Sequence, residues 1–109
     1  MEELVKGDVV IVNFPFTDLK GFSKRPALVL ANLRGADTIL CQITTQESRY
    51  DEYALELNSE QFSQGELLHS SYIRINKLFT ASKNIILKKV GRINKTKLLE
   101  VRNKLFELI

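Results

Sequence analysis

The chain has 109 residues, of which 44% are hydrophobic and 27% are charged, and its formal net charge is +3. This length allows one domain, residues 1–109, with a modest core, and the composition excludes a disordered chain. No apolar run approaches the roughly 18 residues of a membrane span, and the N-terminus lacks the features of a secretory signal. The single cysteine, Cys41, lies in an apolar stretch and is interpreted as a core residue. These features predict a cytoplasmic protein without membrane contact.

Three β-strands are predicted in the first half of the chain. Apolar and β-branched residues indicate strands at residues 9–14, 27–32 and 38–44. The first two are separated by a loop at residues 15–25, which is long for a hairpin connection. Ordered loops of this length are often functional.

Three further strands are predicted in the second half. Apolar residues alternate with others over residues 53–57, which is typical of a half-exposed strand. Residues 58–65 are mostly polar and are interpreted as a loop or a short turn. A fifth strand fits residues 71–77 and a sixth fits residues 85–90, with Gly91 ending it.

The last segment changes period and predicts a helix. Asn94 is positioned to be its N-cap. One helix packed on a curved, six-stranded antiparallel sheet would cover an open apolar face, and many short strands favour a small barrel. The fold class is therefore predicted as mainly β (α+β). The helical stripe comprises Leu98, Val101, Leu105 and Leu108, widened by Leu99, Phe106 and Ile109.

The charges are segregated along the chain. Residues 47–66 contain six acidic residues and one basic residue, whereas residues 67–99 contain eight basic residues and no acidic one. A basic face suggests a polyanionic partner such as a nucleic acid, although the same charges can instead balance the acidic segment across the fold. The basic residues of the second segment are Arg74, Lys77, Lys83, Lys88, Lys89, Arg92, Lys95 and Lys97.

Arg25 and Thr44 are predicted to lie at strand ends. Arg25 is where the long loop enters the second strand, and Thr44 is where the third strand ends. If the strands pair in chain order, a guanidinium group and a hydroxyl group converge on one side of the sheet. That pair suits an anionic ligand such as a phosphodiester.

A specific order of segments runs through the chain: GDVVIV, FPFTD, Lys24-Arg25-Pro26, ALVL, CQITTQ and SYIRINKLFT. This order resembles the MazF/PemK toxins of type II toxin–antitoxin systems, from Gly7 to the C-terminal helix. The resemblance implies an SH3-like antiparallel barrel with a C-terminal helix. It also implies a sequence-specific, metal-independent endoribonuclease that cleaves single-stranded mRNA, forms a homodimer and is bound by a cognate antitoxin.

The resemblance assigns the catalytic roles to Arg25 and Thr44, with Thr45 as a neighbour of the site. Cleavage of RNA without a metal requires a base for the 2′-OH, an acid for the leaving oxygen and donors for the phosphorane charge. Arg25 supplies a planar fork of donors, and Thr44 supplies one hydroxyl. The structural alternative is that Arg25 pairs with an acid such as Asp18 and that Thr44 merely ends a strand.

Five residues are predicted to bind RNA: Lys24, Thr45, His69, Ser71 and Arg74. His69 is the only histidine, and histidine is a natural proton carrier near neutral pH. One branch of the family places an Arg-x-Asp pair at this point, where this chain has His69 and Ser71, so the general base is not assigned. Arg74 is interpreted as a phosphate contact or as a plain ion-pair partner.

No metal or cofactor is predicted, because one histidine, one cysteine and the acid pair Asp51-Glu52 offer no recognisable ligand spacing. Two other classes of function stay open. One is a non-catalytic SH3-like nucleic-acid-binding module, in which Arg25 only contacts phosphate. The other is an inhibitor of a protein target on the same fold, as in the CcdB toxins.

Overall fold

The computed structural model describes residues 3–15, 22–45 and 51–109. This part of the chain forms one antiparallel sheet and a C-terminal helix, and none of its helices is long and apolar enough to cross a membrane. Single 3₁₀ turns lie at Ser59–Gln61 and Lys83–Ile85. The main elements are β1 (Asp8–Pro15), β2 (Phe22–Asn32), β3 (Asp37–Thr44), β4 (Ala54–Leu57), β5 (Phe62–Gly65), β6 (Ser71–Ser82), β7 (Ile86–Ile93) and α1 (Lys95–Leu108).

The strands lie in the order β4-β6-β3-β2-β1-β7-β5, and each neighbouring pair is antiparallel. Register shifts interrupt four of these pairings, and such irregularities bend and twist a sheet. The described residues extend 31 × 31 × 30 Å, which shows a sheet curled into a half-barrel rather than a flat layer. This architecture confirms the predicted SH3-like, mainly β fold with a C-terminal helix.

Each face of the sheet buries its own apolar cluster. The helix-side core contains Val9, Leu28, Cys41 and Ile73, and it receives Val101 from α1. The far-side core lies on the opposite face, because neighbouring residues of a strand point to opposite faces. It contains Leu4, Val10, Val12, Ala27, Val29, Leu40 and Ile86.

Helix α1 begins as predicted and is only partly buried. The Asn94 side chain caps it by accepting a hydrogen bond from the Lys97 N–H at 2.8 Å. Val101 is buried, but Leu99, Phe106 and Ile109 are 55%, 62% and 95% exposed. The predicted widening of the buried stripe by these three residues is therefore wrong. Successive helix positions turn by about 100°, which carries Leu99 and Phe106 to the side away from Val101. Ile109 follows the last residue of the helix.

The sheet differs from the prediction in the extent and number of its strands. β2 begins at Phe22 rather than residue 27, so Arg25 lies within the strand, and β6 extends to Ser82. β5 falls in a segment that was interpreted as a loop, which makes seven strands instead of six in the described part. The remainder of the predicted loop, residues 16–21, lies outside the described residues.

Gly91 lies inside β7 and does not end it as predicted. A Cβ atom at this position would stand 2.6 Å from the Gln64 carbonyl oxygen and 2.9 Å from the Phe62 ring. The missing side chain therefore allows β5 to approach β7 closely. The glycine marks a crowded pairing rather than a turn.

Asp8 is a fully buried carboxylate that joins β1 to β7. It accepts hydrogen bonds from the Arg92 Nε at 2.8 Å and from the Val5 N–H at 2.9 Å, and the Lys89 Nζ lies 3.3 Å away. Burial alone would raise the pKa of Asp8, but these hydrogen bonds outweigh it and hold the pKa below its ordinary value. The buried charge is thus fully compensated.

We expect Asp8→Asn to lower the free energy of unfolding by about 2 kcal/mol, because it leaves two half-buried cations without their partner. The thermal midpoint should fall by on the order of 10 °C. Since the folded pKa is the lower one, the wild-type advantage should be full above about pH 4 and vanish as pH falls through the folded pKa. Glu107→Gln, which removes an exposed ion pair with Lys104, is the control and should change stability little. Equal midpoints for Asp8→Asn and wild type at pH 7 would contradict the assignment.

Candidate active site

Arg25 and Thr44 face each other across the β2–β3 pairing. The pairs Leu28–Cys41 and Ala27–Gln42 fix the register, and continuing it by two residues places Arg25 opposite Thr44, the last residue of β3. Directly opposed residues of antiparallel strands share a face, with Cβ atoms about 4.5–5.5 Å apart. The two residues predicted as catalytic are therefore neighbours.

The same row continues through β6 to β4. Tyr72 pairs with Thr44 on one side and with Glu56 on the other. We call Arg25, Thr44, Tyr72 and Glu56 the site row. Arg25 and Glu56 are exposed at its two ends, and Thr44 and Tyr72 are half-buried between them.

The site row lies on the face of the far-side core, at the point where that core ends. Arg25 pairs with Val12 of β1, and the next inward-facing residue of β2 on this face is Ala27. Val12 and Ala27 are each 1% exposed. The row is thus a polar and partly accessible strip that borders the buried apolar residues of the same face.

Lys24, Thr45 and Arg74 are the predicted phosphate contacts nearest to the site row. Thr45 is exposed directly after Thr44, whereas Lys24 is exposed on the opposite face of β2 from Arg25. Arg74 shares the face of Tyr72 but forms an ion pair with Asp51, with 3.4 Å between its Nε and the carboxylate oxygen. The ion-pair interpretation of Arg74 is therefore present in the structure, and its side chain stays 34% exposed. Asp18, the suggested alternative partner of Arg25, lies outside the described residues.

Ser71 and His69 lie at the start of β6 and differ in accessibility. Ser71 is 1% exposed and pairs with Leu57 of the helix-side core, so its side chain points away from the site row. Its hydroxyl donates to the His69 carbonyl oxygen at 2.9 Å. Ser71 therefore positions the turn rather than offering its hydroxyl to RNA. His69 is exposed, three residues before Tyr72.

The prediction did not include Glu56 among the site residues. The alternation that directs Leu55 and Leu57 towards the helix-side core also directs Glu56 to the other face. That signal is present in the sequence. The pairing of β4 with β6, which brings Glu56 beside Tyr72, has no local sequence signal.

Cys41 takes no part in the site. It is fully buried, its Sγ donates to the Arg74 carbonyl oxygen at 2.7 Å, and burial raises the pKa of its thiol to about 12. The interpretation as a core residue is confirmed. Within residues 3–15, 22–45 and 51–109, no three histidine, cysteine, aspartate or glutamate side chains cluster in a way that could hold a metal ion.

The cross-strand register can be tested without reference to activity. A protein carrying Arg25→Cys and Thr44→Cys should form an intrachain disulfide on mild oxidation, because the expected Cα separation of about 4.5–5.5 Å suits one. Lys24→Cys with Thr44→Cys is the matched control, and it should stay reduced because the two side chains lie on opposite faces. Mass spectrometry after alkylation distinguishes the two states. Equal cross-linking of both pairs would refute the register.

Comparisons with known proteins agree with this fold. A family profile described as PemK-like, MazF-like toxin of type II toxin–antitoxin system matches residues 5–109. A comparison with curated proteins gave no significant match. A MazE–MazF crystal structure from Deinococcus radiodurans is 22% identical with a TM-score of 0.75, covering 94% of this chain and 92% of that chain.

Two mycobacterial structures are also similar. An endoribonuclease from mycobacterial species is 17% identical with a TM-score of 0.71, covering 98% of this chain and 91% of that chain. The Mycobacterium tuberculosis toxin MazF-mt6 is 13% identical with a TM-score of 0.68, covering 90% of this chain and 93% of that chain. These identities show a shared fold, and the profile shows the family. The chain belongs to the PemK-like, MazF-like toxins of type II toxin–antitoxin systems.

Proposed function

We propose that this toxin is a metal-independent endoribonuclease that cleaves single-stranded mRNA at specific sequences. The observation that supports this function best is the β2–β3 register, whose continuation brings Arg25 opposite Thr44 on the face that also carries Val12 and Ala27. Similar structures are titled as endoribonucleases. A CcdB-like inhibitor of a protein target would not need this pair, and the family match favours the nuclease.

In the proposed reaction the 2′-OH oxygen of one nucleotide attacks the adjacent phosphorus. The bond from phosphorus to the 5′ oxygen breaks, which leaves a 2′,3′-cyclic phosphate and a 5′-OH. A base takes the proton of the 2′-OH and an acid gives one to the leaving oxygen. The Arg25 guanidinium and the Thr44 hydroxyl donate hydrogen bonds to the phosphoryl oxygens, where negative charge develops.

His69 is the candidate for a proton-transfer role. It is exposed at the start of β6, three residues from Tyr72 of the site row. Lys24, Thr45 and Arg74 are proposed to contact neighbouring phosphates. The substrate is single-stranded because the deep groove of duplex RNA is closed to side chains and its bases are stacked.

The toxin is proposed to act in the cytoplasm, where mRNA is found, and to be neutralised there by a cognate antitoxin. Two similar structures are titled as a MazE–MazF complex and as an endoribonuclease with its cognate antitoxin. The antitoxin is proposed to present an acidic segment to the RNA groove, in competition with RNA.

We expect purified protein to cleave single-stranded RNA in excess EDTA and to leave cyclic phosphate and 5′-OH ends. Arg25→Ala should lower the single-turnover rate at least about a hundredfold, the scale of losing one preorganised donor. RNA affinity should fall much less, because one phosphate contact among several is removed. The thermal midpoint should barely change, because Arg25 is exposed.

Arg25→Lys is the matched variant, because it keeps the charge but loses the planar fork, and it should stay impaired. If Arg25→Ala weakened rate and binding equally while Arg25→Lys restored both, Arg25 would be a phosphate anchor only. Activity that is lost in EDTA and restored by magnesium would overturn the metal-free mechanism.

A homodimer is the expected active assembly. The site row crosses four strands of one chain, or about 14 Å at the usual strand spacing, which is short for an RNA segment of several nucleotides. Two chains would provide a longer groove. Light scattering at micromolar concentration should therefore give twice the mass of the 12.5 kDa chain. A single species of 12.5 kDa would contradict the dimer.

A further inference from the structure

We infer that Tyr72 and Glu56 form a base-reading subsite beside the scissile phosphate, and that Glu56 selects a base carrying an amino group. This inference rests on the proposed nuclease function and adds a specificity determinant to it. The alternative is that Glu56 is a solvated edge residue without a ligand.

The geometry places this subsite next to the catalytic pair. Tyr72 lies one strand from Thr44, and Glu56 lies two strands from it, on the same face. At a strand spacing of about 4.8 Å, the backbones of Tyr72 and Glu56 are roughly 5 and 10 Å from that of Thr44. A nucleotide next to the phosphate held by Arg25 and Thr44 would place its base there.

Tyr72 offers a surface on which a base can stack. It is half-buried between its pairing partners Thr44 and Glu56, so part of its side chain is accessible to a ligand. Single-stranded RNA is commonly bound by stacking of unstacked bases on aromatic rings. Stacking accepts every base and therefore does not by itself explain specificity.

Glu56 supplies the discrimination. An ionised carboxylate only accepts hydrogen bonds, and it repels phosphate. Its Oε1 accepts a bond from the Asn58 side chain at 3.3 Å, which orients the group, and a carboxylate has further acceptor capacity. Its partner in RNA must therefore be a donor, such as the amino group of cytosine, adenine or guanine. Uracil carries a carbonyl oxygen where cytosine carries its amino group. Its one donor on this edge, the N3–H, is flanked by two carbonyl oxygens that repel a carboxylate, so uracil should be disfavoured.

The charges along the site row give the RNA an orientation. A cation, Arg25, stands at one end and an anion, Glu56, at the other. The phosphate is drawn to the cationic end, and a base edge with donors fits the anionic end. One row of four side chains would thus hold a backbone group and read the base beside it.

The first test is cleavage of a randomised single-stranded RNA pool, followed by sequencing of the new ends. Wild-type protein should disfavour uridine at one position flanking the cleaved bond by at least about fivefold, the scale of one good base contact. Glu56→Gln should admit uridine there, because an amide can donate to its carbonyl oxygen. Glu60→Gln removes an exposed acid in the 3₁₀ turn outside the site row and should keep the wild-type preference.

The second test measures binding without cleavage. Oligocytidine and oligouridine with 2′-O-methyl groups cannot undergo 2′-OH attack, and their bases differ only at the edge that Glu56 would read. Fluorescence anisotropy should show tighter binding of oligocytidine to wild type and to Glu60→Gln, with the difference reduced in Glu56→Gln. Tyr72→Ala should weaken both ligands by about 5- to 100-fold, whereas Tyr72→Phe should retain binding.

The outcomes separate this inference from the proposed function. Cleavage with the same base preference in wild type and Glu56→Gln would overturn the subsite and leave the nuclease intact. A Glu56-dependent preference in binding without any cleavage would support the subsite and refute the nuclease. Unchanged binding by Tyr72→Ala would remove the stacking role.

Discussion

The register between β2 and β3 is the constraint on which the candidate site depends. Strand side chains alternate between faces, so a slip of one residue would turn one member of the Arg25–Thr44 pair to the other face. Both faces of this sheet are buried: Leu28 and Cys41 enter the helix-side core, and Ala27 enters the far-side core. A slip would therefore cost core packing on both sides. The register shift in this pairing lies between Val29 and Ala31, away from the site. The packing that stabilises the fold therefore also fixes the distance between the two catalytic candidates.

The argument for a polyanionic partner depends on where a basic residue lies more than on how many basic residues the chain has. Much of the basic run that suggested a polyanion partner is paired within the fold: Lys89 and Arg92 surround Asp8, and Arg74 contacts Asp51. Lys97 also contacts Glu100, with 2.6 Å between nitrogen and oxygen. Of these pairs, Arg74–Asp51 joins the run to the acidic segment, as the alternative interpretation has it, whereas the others use Asp8 and Glu100. Pairing within the fold thus accounts for four of the eight basic residues of the run. The case for an RNA phosphate rests on where Arg25 lies, at the accessible end of an apolar cluster.

The sequence predicted those features that have a local signal. Alternating or continuous apolar residues located β1 and β3, and Asn94 located the start of α1. β5 was missed because most of its residues are exposed and it has no apolar alternation. The proximity of Arg25 and Thr44 was predicted from their neighbouring strands along the chain, whereas their catalytic role was assigned by the family resemblance. Long-range pairing has no such signal, so neither the β4–β6 contact nor the burial of Ser71 was anticipated.

Within the site row, the residues proposed for catalysis and the residue proposed for base recognition lie on different kinds of strand. Arg25 pairs with Val12 of β1 and Thr44 pairs with Tyr72 of β6, and both of their strands lie inside the sheet with a neighbouring strand on each side. Glu56 lies on β4, which is an edge strand in the described part of the sheet and is held to it by β6. The core contacts of β4 come from Leu55 and Leu57, on the face away from the row. A substitution at Glu56 can therefore alter what is read beside the phosphate without disturbing the core, whereas the same freedom does not exist at Thr44. In the proposed mechanism, the residues that act on the cleaved bond lie at the centre of the sheet, and the residue that selects the neighbouring base lies at its edge.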